Sequence, residues 1–171
     1  MTGLIVGRFQ PFHLGHLAVA SALRNSHPQE SLLLAIGSAQ ESYTPDNPFT
    51  AGERMEMIQG ALTEAQLDGC LPVPVVDIHQ HAQWVGHLRG LLPPFEVVYT
   101  NNPLTRMLFE RDHFRVESPP LVAREQYRGV EVRRRMALGE NWQELLPPSV
   151  ARFLEEIGGA KRVQRIAEPK D

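Results

Sequence analysis

Apolar and polar positions divide the chain into two kinds of segment: short apolar runs, and longer stretches whose apolar residues recur at helical spacing. The apolar runs predict five buried strands, at residues 3–7, 31–38, 71–78, 95–100 and 114–118. The other stretches predict a helix at 16–26, a turn followed by a helix at 47–62, and helices at 81–92, 103–110, 129–139 and 149–158. Thr50, with Glu53 three residues later, predicts a capping box at the start of the second helix. The charged residues 160–171 fit either a final helix or a frayed end.

This alternation of strands and helices predicts an α/β fold, a Rossmann-like parallel sheet with helices on both faces. Residues 129–171 are expected to form a small C-terminal helical part. The chain has 171 residues, 42% of them hydrophobic, and shows no internal repeat or linker. We therefore expect residues 1–171 to form a single domain with one substantial core.

Composition and charge limit the classes of binding partner that we expect for this chain. A net charge of −3 gives no sign of a nucleic-acid track or of binding to an anionic membrane surface. The single cysteine, Cys70, excludes an intramolecular disulfide and a multi-cysteine metal site. No apolar run approaches the roughly 20 residues that a membrane span requires, and no secretory signal is evident. We expect a soluble cytoplasmic protein without nucleic-acid or membrane partners.

Polar residues gather in the segments that follow the predicted strands. These segments are rich in Asn, Gln, Ser, His and Arg, and they occupy residues 7–16, 37–44, 77–84, 100–103 and 118–129. Ligands of open α/β sheets bind beyond the carboxyl ends of the strands. The sequence therefore predicts a ligand site at this edge of the sheet.

The first of these segments, GRFQPFHLGH at residues 7–16, holds a His-x-x-His pair around Gly15 where a strand meets a helix. The N-terminus of a helix favours a bound phosphate, and Gly15 has no side chain to keep a ligand away from the backbone. Histidines at such a place can also simply cap or pack. Two of them, together with Arg8 and Gly15, favour a ligand site.

This segment resembles the first motif of the HxGH-type nucleotidylyltransferases. Residues 3–157 resemble the archaeal type of nicotinamide mononucleotide adenylyltransferase, with further matches in the same order along the chain. They are IGSAQ (36–40), NPFTAGERMEM (47–57), DI followed by WVGH (77–87), VYTNNPLTRMLF (98–109) and EVRRRM (131–136).

The resemblance implies an enzyme of NAD biosynthesis that transfers AMP from ATP to nicotinamide mononucleotide, releasing pyrophosphate. The mononucleotide phosphate would attack the α-phosphate in line, so that no protein nucleophile is required. Mg²⁺ would be carried with ATP, without a dedicated protein metal site. The family analogy also implies a homo-oligomer such as a hexamer. Nicotinate mononucleotide shares the phosphate and ribose, and the sequence does not separate the two acceptors.

The resemblance also assigns residues. Those implied in catalysis are His13, His16, Arg8 and Arg133. Those implied in ATP binding are Gly7, Arg8, Phe9, His13, Gly15, His16, Asn102 and Arg133. Those implied in binding the mononucleotide are Gly37, Ser38, Asp77 and Trp84.

Two of these assignments have plainer alternatives. Trp84 could be a core anchor of its helix, and Asn102 could belong to an ordinary Asn-Pro turn. Arg133, Arg134 and Arg135 point about 100° apart on a helix, so they cannot all serve one phosphate. Arg134 and Arg135 are expected at the surface or in oligomer contacts.

The sequence departs from the family pattern at three places. Asp46 stands where a basic residue is common, Arg128-Gly129-Val130 replaces Ser-Gly-Thr, and His81 replaces an asparagine near the pyridine ring. Arg128 could bind phosphate in place of the hydroxyl group that the family pattern provides. The alternative functions are a sister nucleotidylyltransferase acting on another phosphate, such as phosphopantetheine, and a sensor that binds NAD or ATP without turnover.

Overall fold

The computed structural model describes residues 1–120 and 127–167. Five strands form one parallel sheet in the order β3-β2-β1-β4-β5. They are β1 (Thr2–Gly7), β2 (Ser31–Ile36), β3 (Cys70–Pro74), β4 (Val97–Tyr99) and β5 (Arg115–Glu117). The predicted parallel sheet is confirmed, although β2 and β3 end before residues 38 and 78. The strand β2 ends early because Ser38 adopts a left-handed backbone conformation (φ 48°) and turns the chain away from the sheet.

Within the described residues, seven α-helices surround the sheet. They are α1 (Leu14–Ser26), α2 (Ala51–Glu64), α3 (His81–Leu91), α4 (Pro103–Arg111), α5 (Gly129–Leu138), α6 (Pro148–Glu156) and α7 (Gly159–Ala167), with a 3₁₀ turn at Gln143–Leu145. The helix α1 begins at Leu14, two residues earlier than predicted. Of the two alternatives for the C-terminal residues, the structure shows the helix as far as Ala167. Residues 121–126 of the predicted binding segment and residues 168–171 lie outside the described residues.

Alternating side chains of β2 build a core on each face of the sheet. Leu32, Leu34 and Ile36 face the core that α1, α2 and α5–α7 cover. Leu33 and Ala35 face the opposite core, under α3 and α4. Because both faces are apolar and covered, the predicted helices on both faces are confirmed. The assignment of the chain to a single domain stays a prediction.

The N-terminus of α2 is tied to the C-terminal helices. Thr50 and Glu53 form the predicted capping box, with their side chains bonded to each other's backbone N–H groups at 3.1 and 2.9 Å. Glu53 also accepts two hydrogen bonds of 2.7 Å from the guanidinium of Arg162 in α7. These bonds hold the first turn of α2 in place, and this turn faces the ends of β1 and β2.

No helix within residues 1–120 and 127–167 combines the length and apolar character that a membrane crossing needs.

Candidate functional site

Two cavities lie beside the carboxyl end of β1, and both reach Val6. The histidine pocket, of about 330 Å³, is lined by residues that include Phe9, His13, Gly15, His16, Asn102, Tyr127 and Arg128. The tryptophan pocket, of about 220 Å³, is lined by residues that include Gly7, Arg8, Gly37, Ser38, Asp77 and Trp84. All the candidate residues except Arg133 therefore meet at the predicted edge of the sheet, divided between these two neighbouring cavities.

His13 and His16 cap the N-terminus of α1 reciprocally. Nδ1 of His13 accepts a hydrogen bond from the backbone N–H of His16 at 3.3 Å, and Nδ1 of His16 accepts one from His13 at 3.2 Å. The two rings stack with their centroids 3.5 Å apart. Because each Nδ1 accepts, the proton of each neutral ring lies on Nε2. Capping thus leaves each ring one N–H donor at the wall of the pocket.

Burial keeps both rings neutral at physiological pH. His13 is 5% exposed, and burial lowers its pKa to about 4. Burial, and then the neighbouring His13, lower the pKa of His16 well below its ordinary value. At neutral pH the pair therefore acts as two hydrogen-bond donors and carries no charge.

This burial predicts a loss of stability in mild acid. Below the ordinary pKa of 6.5 an unfolded chain takes up a proton at His13 that the folded protein does not bind until about pH 4. Stability therefore falls as the pH drops from 6.5 to 4, by up to about 3 kcal/mol from this residue. Urea unfolding measured across this range checks the slope. Asparagine is also a good N-cap, so His13→Asn is the matched variant, with a shallower slope expected. A slope that is unchanged in His13→Asn would show that the buried His13 does not cause the loss of stability in acid.

Tyr127 packs against Gly15 in this structure. A Cβ atom added at Gly15 would lie 2.8 Å from Cβ of Tyr127 and 3.1 Å from Nδ1 of His13. The sequence predicts that a ligand can approach the Gly15 backbone closely. In this structure the side chain of Tyr127 lies against that backbone. Any larger residue at this position would push Tyr127 or His13 out of place.

Trp84 is both a core residue and a pocket wall. Its indole meets the ring of Phe109 edge to face, with the centroids 5.6 Å apart, while it lines the tryptophan pocket. Asp77 is held nearby by two hydrogen bonds of its backbone to the side chain of Gln40, at 3.0 and 2.9 Å. An aromatic face and a carboxylate therefore border the same cavity.

Asn102 forms the turn that its Asn-Pro sequence suggests. Its Oδ1 caps α4 by accepting the N–H of Thr105 at 3.0 Å, and Pro103 occupies the first helical position. The residue also lines the histidine pocket. The structure therefore shows the Asn-Pro turn that was the alternative interpretation of Asn102. It also places this residue at the candidate site.

Arg133 lies against the loop of the opening motif. Its side chain is 11% exposed and donates a 2.8 Å hydrogen bond to the carbonyl of Gln10. Asp46 approaches the guanidinium to 3.6 Å, and these two residues border a third cavity. Burial, and then the positive charge of Arg8, lower the pKa of Arg133. Arg133 is thus a partly desolvated cation near the motif, paired with an exposed carboxylate.

The two arginines that follow Arg133 in the sequence form ion pairs at the protein surface. Arg134 pairs with Glu131 and Glu140, and Arg135 pairs with Glu131 and Glu144. The structure therefore shows Arg134 and Arg135 in surface ion pairs, which is one of the two alternatives expected for them.

The three departures from the family pattern take separate places. Arg128 lines the histidine pocket, Val130 borders the third cavity with Asp46, and His81 is exposed at the start of α3. Among the described residues, no three His, Cys, Asp or Glu side chains form a group that could hold a metal ion.

Sequence reasoning missed Arg54, which has no exposed surface. Its guanidinium donates to the carbonyl oxygens of Arg8, Gly37 and Ser38, all of which line the tryptophan pocket. The sequence did contain an indication that Arg54 is buried. Arg54 shares the apolar face of α2 with Met57 and Ile58, which follow it by three and four residues. A charged residue on an apolar helical face requires a partner elsewhere in the fold.

Comparison with known proteins agrees with this architecture. Residues 4–135 match the family model described as cytidylyltransferase-like. A nicotinamide-nucleotide adenylyltransferase of Picrophilus torridus is 44% identical over 168 residues, covering 98% of each chain. One of Archaeoglobus fulgidus is 42% identical over 172 residues, again covering 98% of each.

A solved structure resembles the fold. It is a bifunctional NMN adenylyltransferase/ADP ribose pyrophosphatase from Francisella tularensis, in complex with AMP and a manganese ion. The TM-score is 0.79 at 23% identity, and the match covers 96% of this chain and about half (51%) of that one. This likeness supports the Rossmann-like fold. The family model and the two relatives lead to one assignment: the chain belongs to the cytidylyltransferase-like family and, with these relatives, to the nicotinamide-nucleotide adenylyltransferases.

Proposed function

We propose that this protein transfers AMP from ATP to nicotinamide mononucleotide, forming NAD and pyrophosphate. The observation that carries the proposal is the pair of cavities beside the end of β1, which both reach Val6. One cavity presents neutral imidazole donors at a helix N-terminus, and the other presents an indole and a carboxylate. Two nucleotides bound there would meet with their phosphates at the end of one strand.

ATP occupies the histidine pocket in this proposal. The Nε2–H groups of His13 and His16 donate to phosphate oxygens, with His16 at the α-phosphate, and free N–H groups of α1 add to them. Phe9, Gly15 and Asn102 border the adenosine, while Gly7 lies at the junction with the second pocket. Arg133 supplies positive charge beside the motif loop, whereas Arg8, which lines the tryptophan pocket, supplies it where the two pockets adjoin.

The mononucleotide occupies the tryptophan pocket. A cationic nicotinamide ring over the indole face of Trp84 is a favourable arrangement. Gly37 and Ser38 border the phosphate and ribose, and Asp77 faces the pyridine end. Since nicotinate mononucleotide shares the phosphate and ribose, it is the second acceptor to be measured.

The chemistry requires placement and charge stabilisation. An oxygen of the mononucleotide phosphate forms a bond to the α-phosphorus of ATP while the bond from that phosphorus to the bridging oxygen of pyrophosphate breaks. The attacking phosphate is already ionised near neutral pH, so no protein group has to remove a proton. Aligned reactants, together with donors aimed at the growing negative charge, account for catalysis of this kind. Mg²⁺ enters as part of the ATP substrate, on the phosphate oxygens that it prefers.

The product mixture tests this proposal against the sister activity. The protein is incubated with ATP, Mg²⁺ and one of three acceptors: nicotinamide mononucleotide, nicotinate mononucleotide or phosphopantetheine. We expect NAD from the first acceptor and no dephospho-coenzyme A from the third. Dephospho-coenzyme A as the main product would establish the sister activity, and tight nucleotide binding without any product would establish a sensor.

Assembly and location follow the family resemblance and stay predictions. A homo-oligomer, with the hexamer as the size to test, is measured by light scattering of the purified protein. The cytoplasm is the proposed place of action, and fractionation of cells that produce the protein tests it.

Asp46 is expected to weaken ATP binding, since its carboxylate lies 3.6 Å from the guanidinium of Arg133. Pairs with an exposed partner contribute about 0.2–1 kcal/mol, so Asp46→Asn should lower the KM for ATP by up to about fivefold. The turnover number should change little. Steady-state kinetics with ATP varied at saturating mononucleotide measures both.

The control is Glu140→Gln, which removes an exposed carboxylate from Arg134, a surface arginine of α5. It should leave the KM for ATP unchanged. A higher KM for ATP in Asp46→Asn would show that the carboxylate helps to bind ATP. That result would contradict the expectation that Asp46 weakens ATP binding through its approach to Arg133.

A further inference from the structure

Arg54 is a buried arginine without a carboxylate partner among the described residues. It lies in the first turn of α2, has no exposed surface, and is one of the largest fully buried side chains. A charge removed from water in this way is tolerated only where hydrogen bonds replace its hydration. The acceptors of Arg54 therefore show what the residue does.

Backbone carbonyls of three segments supply these acceptors. Nη1 donates to the carbonyls of Arg8 at 2.9 Å and Gly37 at 2.8 Å, and Nη2 donates to that of Ser38 at 3.1 Å. Nε donates to the carbonyl of Thr50 at 3.3 Å. Burial, and then the charge of Arg8, lower the pKa of Arg54 to about 10, so the guanidinium stays charged at neutral pH. One planar fork thus joins the chain after β1, the chain after β2 and the start of α2.

The two turns that it joins have unusual backbones. Phe9, directly after Arg8, has φ 50°, and Ser38 has φ 48°. A left-handed conformation costs a non-glycine residue about 1–3 kcal/mol and persists only where the surroundings impose it. The amide of Gly37 also donates to the carbonyl of Gly7 at 2.9 Å, which ties the two turns to each other. The hydrogen bonds of Arg54 add a further constraint on both turns.

We propose that Arg54 is a positioning residue for the acceptor nucleotide. By fixing the turns after β1 and β2, it holds Arg8, Gly37 and Ser38 in the arrangement that receives a phosphate monoester. This inference rests on the proposed function, because the tryptophan pocket is taken as the acceptor site. Arg54 lines neither pocket, so it acts through the backbone that it holds.

The test compares Arg54→Lys with a matched variant, Arg24→Lys. Arg24 also donates to three backbone carbonyls, those of Asp68, His27 and Pro28, at 2.8–3.0 Å. These carbonyls lie at the opposite end of the sheet, away from both pockets. An ammonium cannot span several carbonyls as a planar fork does, so both variants should unfold at lower temperature.

The expected result is a selective effect on the acceptor. Arg54→Lys should raise the KM and the calorimetric Kd for nicotinamide mononucleotide about tenfold or more, with the KM for ATP changed less than about threefold. Arg24 is partly exposed, so Arg24→Lys should lose less thermal stability, and it should leave both KM values unchanged. Arg54→Gln, which buries no ammonium, provides a second variant if Arg54→Lys does not fold.

Two outcomes would overturn the inference. One is a folded Arg54 variant whose Kd for the mononucleotide stays within about twofold of wild type, a change too small for a positioning effect. The other is an equal rise of this Kd in Arg24→Lys. Wild-type protein that binds the mononucleotide without forming NAD would refute the proposed function alone, since the ratio of Kd values still decides the role of Arg54. Wild-type protein that binds no mononucleotide would refute both.

Discussion

Replacing His16 with alanine is expected to lower the turnover number about 100- to 1,000-fold, the usual cost of removing one donor aimed at developing negative charge. The ring uses Nδ1 to cap α1 and keeps its proton on Nε2, at the wall of the histidine pocket. Because burial keeps the ring neutral, the loss should be similar from pH 6.5 to pH 8. Initial rates of NAD formation with both substrates saturating measure it.

A second variant separates catalysis from capping. Glutamate three residues after a cap can accept the same backbone N–H, so His16→Glu keeps the cap and removes the donor. This variant should lose at least as much activity as His16→Ala, and its melting temperature gives the folded fraction at which that activity is measured. Activity that falls only in proportion to the folded fraction would mean that His16 serves the helix alone.

Replacing Arg133 with alanine is expected to lower kcat/KM for ATP about 100- to 1,000-fold, since a partly desolvated cation beside the phosphates is lost. Arg133→Lys should recover only part of this, because an ammonium keeps the charge and lacks the planar fork. The matched control is Arg134→Ala, one position further along α5, where the arginine pairs with surface carboxylates. It should change kcat/KM less than about twofold, as surface substitutions usually do.

Arg133 and Asp46 should also be coupled. If Asp46 weakens ATP binding through its approach to Arg133, the benefit of Asp46→Asn should vanish once Arg133 is alanine. A double-mutant cycle on the KM for ATP measures this coupling. An equal benefit of Asp46→Asn in both backgrounds would place the effect of Asp46 elsewhere.

The fold could be predicted because hydrophobic pattern and tertiary structure agree along the strands. Leu32, Leu34 and Ile36 alternate with Leu33 and Ala35, and β2 is covered on both faces as this pattern requires. The predicted start of α1 is wrong because the helix is capped by a histidine, outside the usual Ser, Thr, Asp and Asn. Its reciprocal bond to His16 is visible only in three dimensions.

The candidate site could be predicted as a set of residues, but its division into pockets could not. The motif put Arg8 beside His13 and His16, whereas in the structure it lines the tryptophan pocket with Ser38. Arg54, whose partners come from two other segments of the chain, joins the turns that carry Arg8 and Ser38. No local pattern reveals such contacts, and the same holds for the approach of Asp46 to Arg133.

Simultaneous measurement of pyrophosphate and NAD tests the central claim most directly. Wild-type protein with ATP, Mg²⁺ and nicotinamide mononucleotide should release one pyrophosphate for each NAD formed, and His16→Ala should lose both products together. Pyrophosphate without NAD would mean that water accepts the adenylyl group. No product from wild-type protein that binds both nucleotides would contradict the account, because the two pockets would then hold their ligands without joining them.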